Sequence, residues 1–180
     1  MNTQENALKA YITDVPDFPK KGIIFKDITS LLESSKGVQL CLESLMVSLK
    51  NLKIDKVVAI EARGFFFGML LAQTLKIPFV PVRKPGKLPR KVITQSFDLE
   101  YGSDILELHE DAIIPGDNIL IHDDVLATGG TAEAAAKLVE ISKANVAAFV
   151  FVINLFDLGG SDNLVKNNYK VENLIDFPGH

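Results

Sequence analysis

The 180-residue chain holds a single cysteine, Cys41, so an intrachain disulfide and a paired-cysteine metal or redox site are both excluded. Apolar runs such as 65–67 and 149–153 fall far short of the roughly 20 residues that span a bilayer. The opening stretch MNTQENALKAY has no basic cluster leading into an apolar one. No secretory signal is therefore expected, and the expected setting is cytoplasmic. Positive charge is not in excess, with 19 Lys and Arg against 23 Asp and Glu and a net charge of −4. That balance argues against nonspecific binding to nucleic acid or to a membrane surface. Repeats, low-complexity tracts and linkers are missing too, so one domain over 1–180 is expected. Neither a G-x-x-x-x-G-K-[ST] phosphate loop nor a G-x-G-x-x-G dinucleotide fingerprint occurs.

What is present is a globular mixture, 47% hydrophobic and 23% charged. Short apolar runs alternate with stretches of helical periodicity. Leu8, Tyr11 and Ile12 suggest a short N-terminal helix, and DVPDFPKKG after it, with Pro16, Pro19 and Gly22, is read as irregular. Residues 23–25 form a brief extended piece. Val38, Cys41, Leu42, Leu45, Met46 and Leu49 recur at helical spacing, giving a helix over about 36–52. KVVAI at 56–60 reads as a buried strand, EARG as a loop, 65–75 as a helix and 79–82 as a strand. Residues 84–96, rich in Lys, Arg, Pro and Gly, read as a long mobile loop. Strands are expected near 98–100, 105–108, 118–122 and 146–153, with a helix over 131–142 and a short helix and strand in the tail. Apolar strands alternating with helices predict a doubly wound α/β architecture around a mainly parallel sheet. In such sheets the ligand sits at the carboxyl ends of the strands, so the loops after Ile60 and His122 should open onto it.

The strongest chemical signal is ILIHDDVLATGGT, residues 119–131. A strand runs into Asp123 and Asp124, then Ala127, Thr128, Gly129, Gly130 and Thr131 lead into a helix. Helix N-termini carry unsatisfied N–H groups and the positive end of the helix dipole, so they bind phosphate. Gly129 and Gly130 let the backbone come close, while Thr128 and Thr131 add hydroxyl donors. The two carboxylates, one short loop away, can accept hydrogen bonds from vicinal sugar hydroxyls. A phosphorylated ribose satisfies both halves of the motif. Several other tempting residues read as bland. Cys41 lies on an apolar helix face, residues 65–67 are mostly core, and His109 and His180 are surface or terminal. His122 adjoins the site but alternation points it away from whatever Asp123 faces.

The same string resembles the 5-phosphoribosyl-1-pyrophosphate (PRPP) motif of the type I phosphoribosyltransferases. DFPKKGIIFKDITSLL, IEARGFFFG, VPVRKPGKLP, LEYG at 99–102, INLFDLGG at 153–160 and the terminal FPGH extend the resemblance over nearly the whole chain, toward members that act on adenine. The chain departs from the pattern in having Ala62 for serine, Lys21 for proline and His122 for an aliphatic residue. The resemblance implies the type I phosphoribosyltransferase fold, with an N-terminal hood over about 1–35 and a mobile catalytic loop over about 84–103. It implies the reaction of adenine with PRPP to give AMP and pyrophosphate, with Mg²⁺ bound through PRPP and water and no direct protein ligand. A homodimer is implied as well, with the Phe-rich helix after EARG as a plausible contact. The reacting sugar passes through an oxocarbenium-like state.

On this footing Arg63, beside Ala62, clamps pyrophosphate oxygens, and a cis peptide is expected before it, at Ala62-Arg63. Lys87 is the loop cation, with Arg83, Lys84, Arg90 and Lys91 weaker candidates. Glu100, with Tyr101 beside it, handles the proton at the base. Phe25 lies on one face of the purine and Leu126 on the other, while backbone groups of Ile24 and Lys26 read its Watson–Crick edge. Three other readings stay open: a phosphoribosyltransferase for another base, a PRPP-binding regulator, and a phosphatase using the acidic pair. The first is separated by base competition. The second is expected to need a DNA-binding domain for which the N-terminal arm has no room, and the third lacks a separate nucleophile motif.

Overall fold

A computed structural model describes residues 3–98 and 103–179. Its centre is a parallel sheet of five strands: β3 (Lys56–Ile60), β4 (Phe79–Val82), β7 (Asn118–Leu126), β8 (Asn145–Leu155) and β9 (Val171–Phe177), in the order β4-β3-β7-β8-β9. The strands read as unbroken apolar runs because both faces are covered, so successive residues enter different cores. Val58, Ile60, Ile119, Ile121, Phe149 and Phe151 pack beneath α5 (Gly130–Ile141). Val57, Leu120, Ala148, Val150 and Val152 face the opposite way, toward Cys41 and Leu45 of α3 (Ser35–Ser48) and Phe67 and Leu71 of α4 (Gly64–Leu75). Burial of this kind contributes roughly 1.5–3 kcal/mol for each large aliphatic or aromatic side chain. Helix α4 sits close on β3 because Gly68 has no side chain. A Cβ there would lie 2.6 Å from that of Ala59.

Two smaller antiparallel ribbons flank the sheet. The first pairs β1 (Thr13–Pro16) with β2 (Ile24–Asp27), and α1 (Thr3–Lys9) precedes it. The second pairs β5 (Val92–Asp98) with β6 (Ser103–His109) and joins the sheet through a bridge between Arg83 and Glu107. A short helix, α2 (Thr29–Leu32), connects β2 to α3, and α6 (Gly160–Lys166) connects β8 to β9.

Several expectations are corrected here. Pro16 does not exclude regular structure, because it is the last residue of β1, a position where the missing N–H is tolerated. The first helix ends at Lys9, so Tyr11 and Ile12 lie beyond it, and α2 was not anticipated. Of the segment 84–96, residues from Val92 onward form strand β5. Ile93 and Phe97 pack against the core while Thr94 and Ser96 are exposed, an alternation hidden behind the charged KLPRK stretch. Of the strand placed at 98–100, Asp98 is the last described residue of β5 and the other two positions lie outside the described residues. Strand β7 runs on through Asp123 and Asp124 to Leu126 instead of stopping at His122. His109 is buried, its Nδ1 3.4 Å from the carbonyl of Lys91. In the 65–67 cluster Phe67 is core, Phe66 is 48% exposed, and Phe65 meets Phe79 edge-on. Cys41 is buried, and its thiol is pushed up to about 12 by that burial.

His122 sits wholly inside this sheet. Its Nδ1 lies 2.9 Å from the carbonyl oxygen of Val150, which can only accept, so Nδ1 carries the proton. Nε2 then has no partner, and a second proton there would be a buried charge without an acceptor. Burial lowers the imidazole to about 4 despite the Val150 bond. The unfolded chain therefore binds more protons than the folded one between the usual 6.5 and about 4, and stability contributed by neutral His122 is lost as pH falls through that window. Replacing His122 with leucine should flatten the acid limb. Between pH 7 and pH 5 the parent should lose roughly 5 °C more of melting temperature than His122→Leu does. Equal losses in thermal melts of the two proteins would contradict this account.

Candidate active site

The strand order fixes where a ligand can bind. From β3 the chain winds outward to β4, and from β7 it winds the other way to β8 and β9. The crevice between the carboxyl ends of β3 and β7 is thus the switch point of the sheet. Ala59 stands in register with His122, so the turn after β3 and the acidic end of β7 face each other across this crevice. That turn, Glu61-Ala62-Arg63, leads directly into α4. Its cis peptide is Glu61-Ala62, one bond earlier than expected.

Asp123 and Asp124 are neighbours on β7, and Asp124 is almost wholly buried. Burial and the adjacent Asp124 carboxylate raise Asp123 well above the usual carboxylate range. Burial also raises Asp124, against the pull of Arg63. Arg63 Nε lies 2.6 Å from Asp124 Oδ2, yet that oxygen has no hydrogen-bond partner, so the contact is an ion pair without a directed bond. The Arg63 guanidinium also lies over the ring of Phe25, 5.2 Å from its centroid. One cation therefore serves two carboxylates, and an arriving donor can pair with them at little desolvation cost.

Residues 127–131 cross from β7 to α5. Gly129 takes φ +91° as the residue before the helix, and no side chain caps the first turn. The N–H groups there are left to a ligand or to solvent. Asp123, Val125, Leu126, Ala127, Thr128, Gly129 and Thr131 line one cavity of ≈ 90 Å³. Leu126 is 2% exposed within the core beneath α5. A larger cavity of ≈ 290 Å³ between α1, α3 and β9 is lined by none of the candidate site residues named from the sequence.

The basic residues converge on Glu61. Its carboxylate accepts from Arg83 Nε and from the backbone N–H of Lys84, each at 2.9 Å, and Lys87 Nζ stands 3.4 Å away. Burial pushes Glu61 up, but the Lys84 N–H and Arg83 outweigh it and hold it below its usual value. Lys84 in turn pairs with Asp104 at 2.9 Å, and Arg90 pairs with Asp111. Phe25, from β2, leans edge-on against Phe18. Ile24 is exposed, and the Lys26 side chain is buried. Glu100 and Tyr101 lie outside the described residues.

Two contributors escaped the sequence reading. Glu61 was visible only inside a resemblance string, yet it holds Arg83 and Lys87 at the crevice. Gly160 was visible only inside a resemblance string. Its N–H donates to the Ala127 carbonyl at 3.0 Å, and a Cβ on it would fall 2.2 Å from that oxygen and 2.9 Å from the Gly129 nitrogen. Gly160 therefore lets the turn after β8 press directly on residues 127–129. Gly160→Ala should displace that loop and weaken AMP binding by about tenfold or more, since overpacking of this kind costs about 1–3 kcal/mol. Calorimetric AMP titration with a parallel thermal melt checks this, and a folded variant with parental affinity would show that the loop does not hold the phosphate.

The Phosphoribosyl transferase domain family matches residues 27–178. An adenine phosphoribosyltransferase of Pelagibacter ubique is 57% identical over 173 residues, covering 96% of this chain and 99% of its own. The crystal structure of the adenine phosphoribosyltransferase of Thermoanaerobacter pseudethanolicus superposes with a TM-score of 0.92 at 46% identity, over 96% of this chain and 99% of that one. The Saccharomyces cerevisiae enzyme, complexed with an imino-altritol bisphosphate and adenine, gives 0.90 at 38% identity over 97% and 99%. A nearly full-length match of sequence and fold, on a sheet whose switch point carries the 127–131 loop beside paired acids, places this chain in the phosphoribosyl transferase family, among the adenine phosphoribosyltransferases.

Proposed function

We infer that this chain is the purine-salvage enzyme that transfers the 5-phosphoribosyl group of PRPP to adenine, giving AMP and pyrophosphate. The observation that carries this reading is the convergence of Arg63, Asp123, Asp124 and the 127–131 loop on one crevice, with Phe25 at its rim. The first turn of α5 holds the 5-phosphate, which suits its uncapped N–H groups. The Asp123 and Asp124 carboxylates take the ribose hydroxyls, and their charge stabilises the developing oxocarbenium ion. Arg63 and Lys87, held by Asp124 and Glu61, are exchanged onto the departing pyrophosphate, which offers a bidentate and more concentrated negative partner. Glu100, with Tyr101 beside it, moves the proton at the base as its nitrogen bonds to the sugar carbon.

The base is held by the segment up to about residue 35, acting as a hood. Phe25 lies on one face of the purine on this reading, whereas Leu126 is sunk in the core beneath α5. Among the described residues β2 pairs with β1 alone, so its other edge leaves backbone groups of Ile24 and Lys26 for a ligand. A carbonyl there accepts from the 6-amino group of adenine but opposes a 6-oxo group, and an unpaired polar group costs about 1–3 kcal/mol.

Magnesium belongs to the same reading. The ion would be held by diphosphate oxygens and water, which asks for no direct protein ligand. Asp124 Oδ2, buried without a hydrogen-bond partner, can accept from a water of that shell. When bound, the ion supplies charge neutralisation of the leaving diphosphate. A homodimer is also part of the proposal, through the α4 face where Phe66 and Met69 stand about half exposed. A cytoplasmic setting follows from the substrate, since a multiply phosphorylated sugar does not cross a bilayer unaided.

Steady-state AMP formation with adenine, hypoxanthine and guanine tests the whole. Adenine should be the preferred base, and Glu100→Gln should lower turnover by roughly 10²–10⁴, the usual worth of general acid–base help. PRPP affinity should stay close to parental. Equal use of hypoxanthine would remove the adenine assignment, and near-parental turnover of Glu100→Gln would move the proton transfer elsewhere.

A further inference from the structure

Lys26 is an unusual residue to find indoors. Its side chain is only 7% exposed, against 53% for its partner Asp14. Nζ lies 2.8 Å from both carboxylate oxygens of Asp14, which stands directly opposite it across the β1–β2 ribbon. The same ammonium lies 4.6 Å from the ring centroid of Phe177, the last residue of β9, and Lys9 of α1 approaches that ring at 5.4 Å. Alternation along β2 sends Lys26 and Phe25 to opposite faces. While Phe25 turns toward Arg63 and the crevice, Lys26 turns toward the carboxyl end of the central sheet.

Phe177 is itself held. It is in register with Leu155 of β8, and two residues later the Gly179 N–H donates to Asp157 Oδ1 at 2.6 Å. The ring that receives Lys26 therefore belongs to the main sheet and not to a loose terminus. The β1–β2 ribbon, by contrast, has no strand-to-strand pairing with that sheet among the described residues. A buried ammonium is costly unless paired, and an aliphatic side chain would fill the same space at lower cost. A directed cation–carboxylate and cation–π contact instead fixes angle as well as contact.

Taking the adenine-transfer reading as its basis, we propose that Lys26 is a positioning residue for base recognition. Held between Asp14 and Phe177, its side chain sets the angle at which β2 stands over the crevice. Phe25 and the open edge of β2 then meet the purine in one orientation, and the C-terminal strand contributes to base choice without touching the base.

The test is steady-state kinetics of the full chain, varying adenine and PRPP separately, with Lys26→Met, Lys26→Arg and Phe177→Leu. Lys26→Met keeps the stem and removes the charge. It should raise the adenine KM about tenfold and leave the PRPP KM and kcat within about threefold, the range expected from losing a desolvated cation contact. Its ratio of hypoxanthine to adenine use should rise. Lys26→Arg, which keeps the cation, should return the adenine KM to within about twofold of the parent. Phe177→Leu should shift KM in the same direction as Lys26→Met. An unchanged adenine KM in Lys26→Met, or equal rises in both KM values with a lowered melting temperature, overturns the proposal and leaves the adenine reading standing. Should Lys26→Met fail to fold, the same split in Phe177→Leu decides. A parent that makes no AMP from adenine and PRPP defeats the functional reading, and this inference with it.

Discussion

Two carboxylates adjacent on a strand repel each other, and burial makes the repulsion stronger because less water screens it. Asp123 and Asp124 occupy that position at the end of β7, with Arg63 as the cation that reaches them. A strand end with this arrangement is uncomfortable on its own and comfortable with hydroxyl donors in place. Much of the surrounding architecture supports it. The parallel sheet delivers β3 and β7 to the same edge, the glycine-lined contact at Gly68 brings α4 close against β3, and the turn before α4 carries Arg63 to Asp124.

The basic side chains near the crevice follow the same logic. Arg63 leans on Asp124 and Phe25, and Arg83 and Lys87 gather around Glu61. These cations are kept near the crevice on carboxylates, from which, on the proposed function, a diphosphate draws them because it gathers more negative charge in one place. Held in this way, they neither repel one another nor drift into solvent, and less conformational entropy remains to be lost on binding.

How much of this could be read in advance depended on range. KVVAI at 56–60 and FVPV at 79–82 announce buried strands by composition, and the glycines and threonines of 128–131 announce the loop into α5. These are local signals. Strand β5 was hidden because its charged approach, KLPRK, outweighed the alternation of Ile93 and Phe97, and β1 because Pro16 reads as a breaker until its terminal position is known. Strand β7 looked shorter than it is because Asp123 and Asp124 resemble loop residues until a site exists to hold them. Gly160 and the side chain of Lys26 act through partners more than thirty residues away, on the loop after β7 in one case and on the last strand of the central sheet in the other. No periodicity within their own segments points to those partners, so three-dimensional packing alone exposes them.

The meeting of Gly160 with residues 127–129 also bears on how such enzymes can be rebuilt. The two segments come from different crossovers of the sheet, yet Gly160 has no room for so much as a methyl group against residues 127–129. They form one object in space although the chain writes them apart. A 127–131 loop transplanted from a relative would carry its own backbone contour into a socket cut for a different one. Grafting it with the matching turn after β8 is therefore the smallest exchange that preserves the fit.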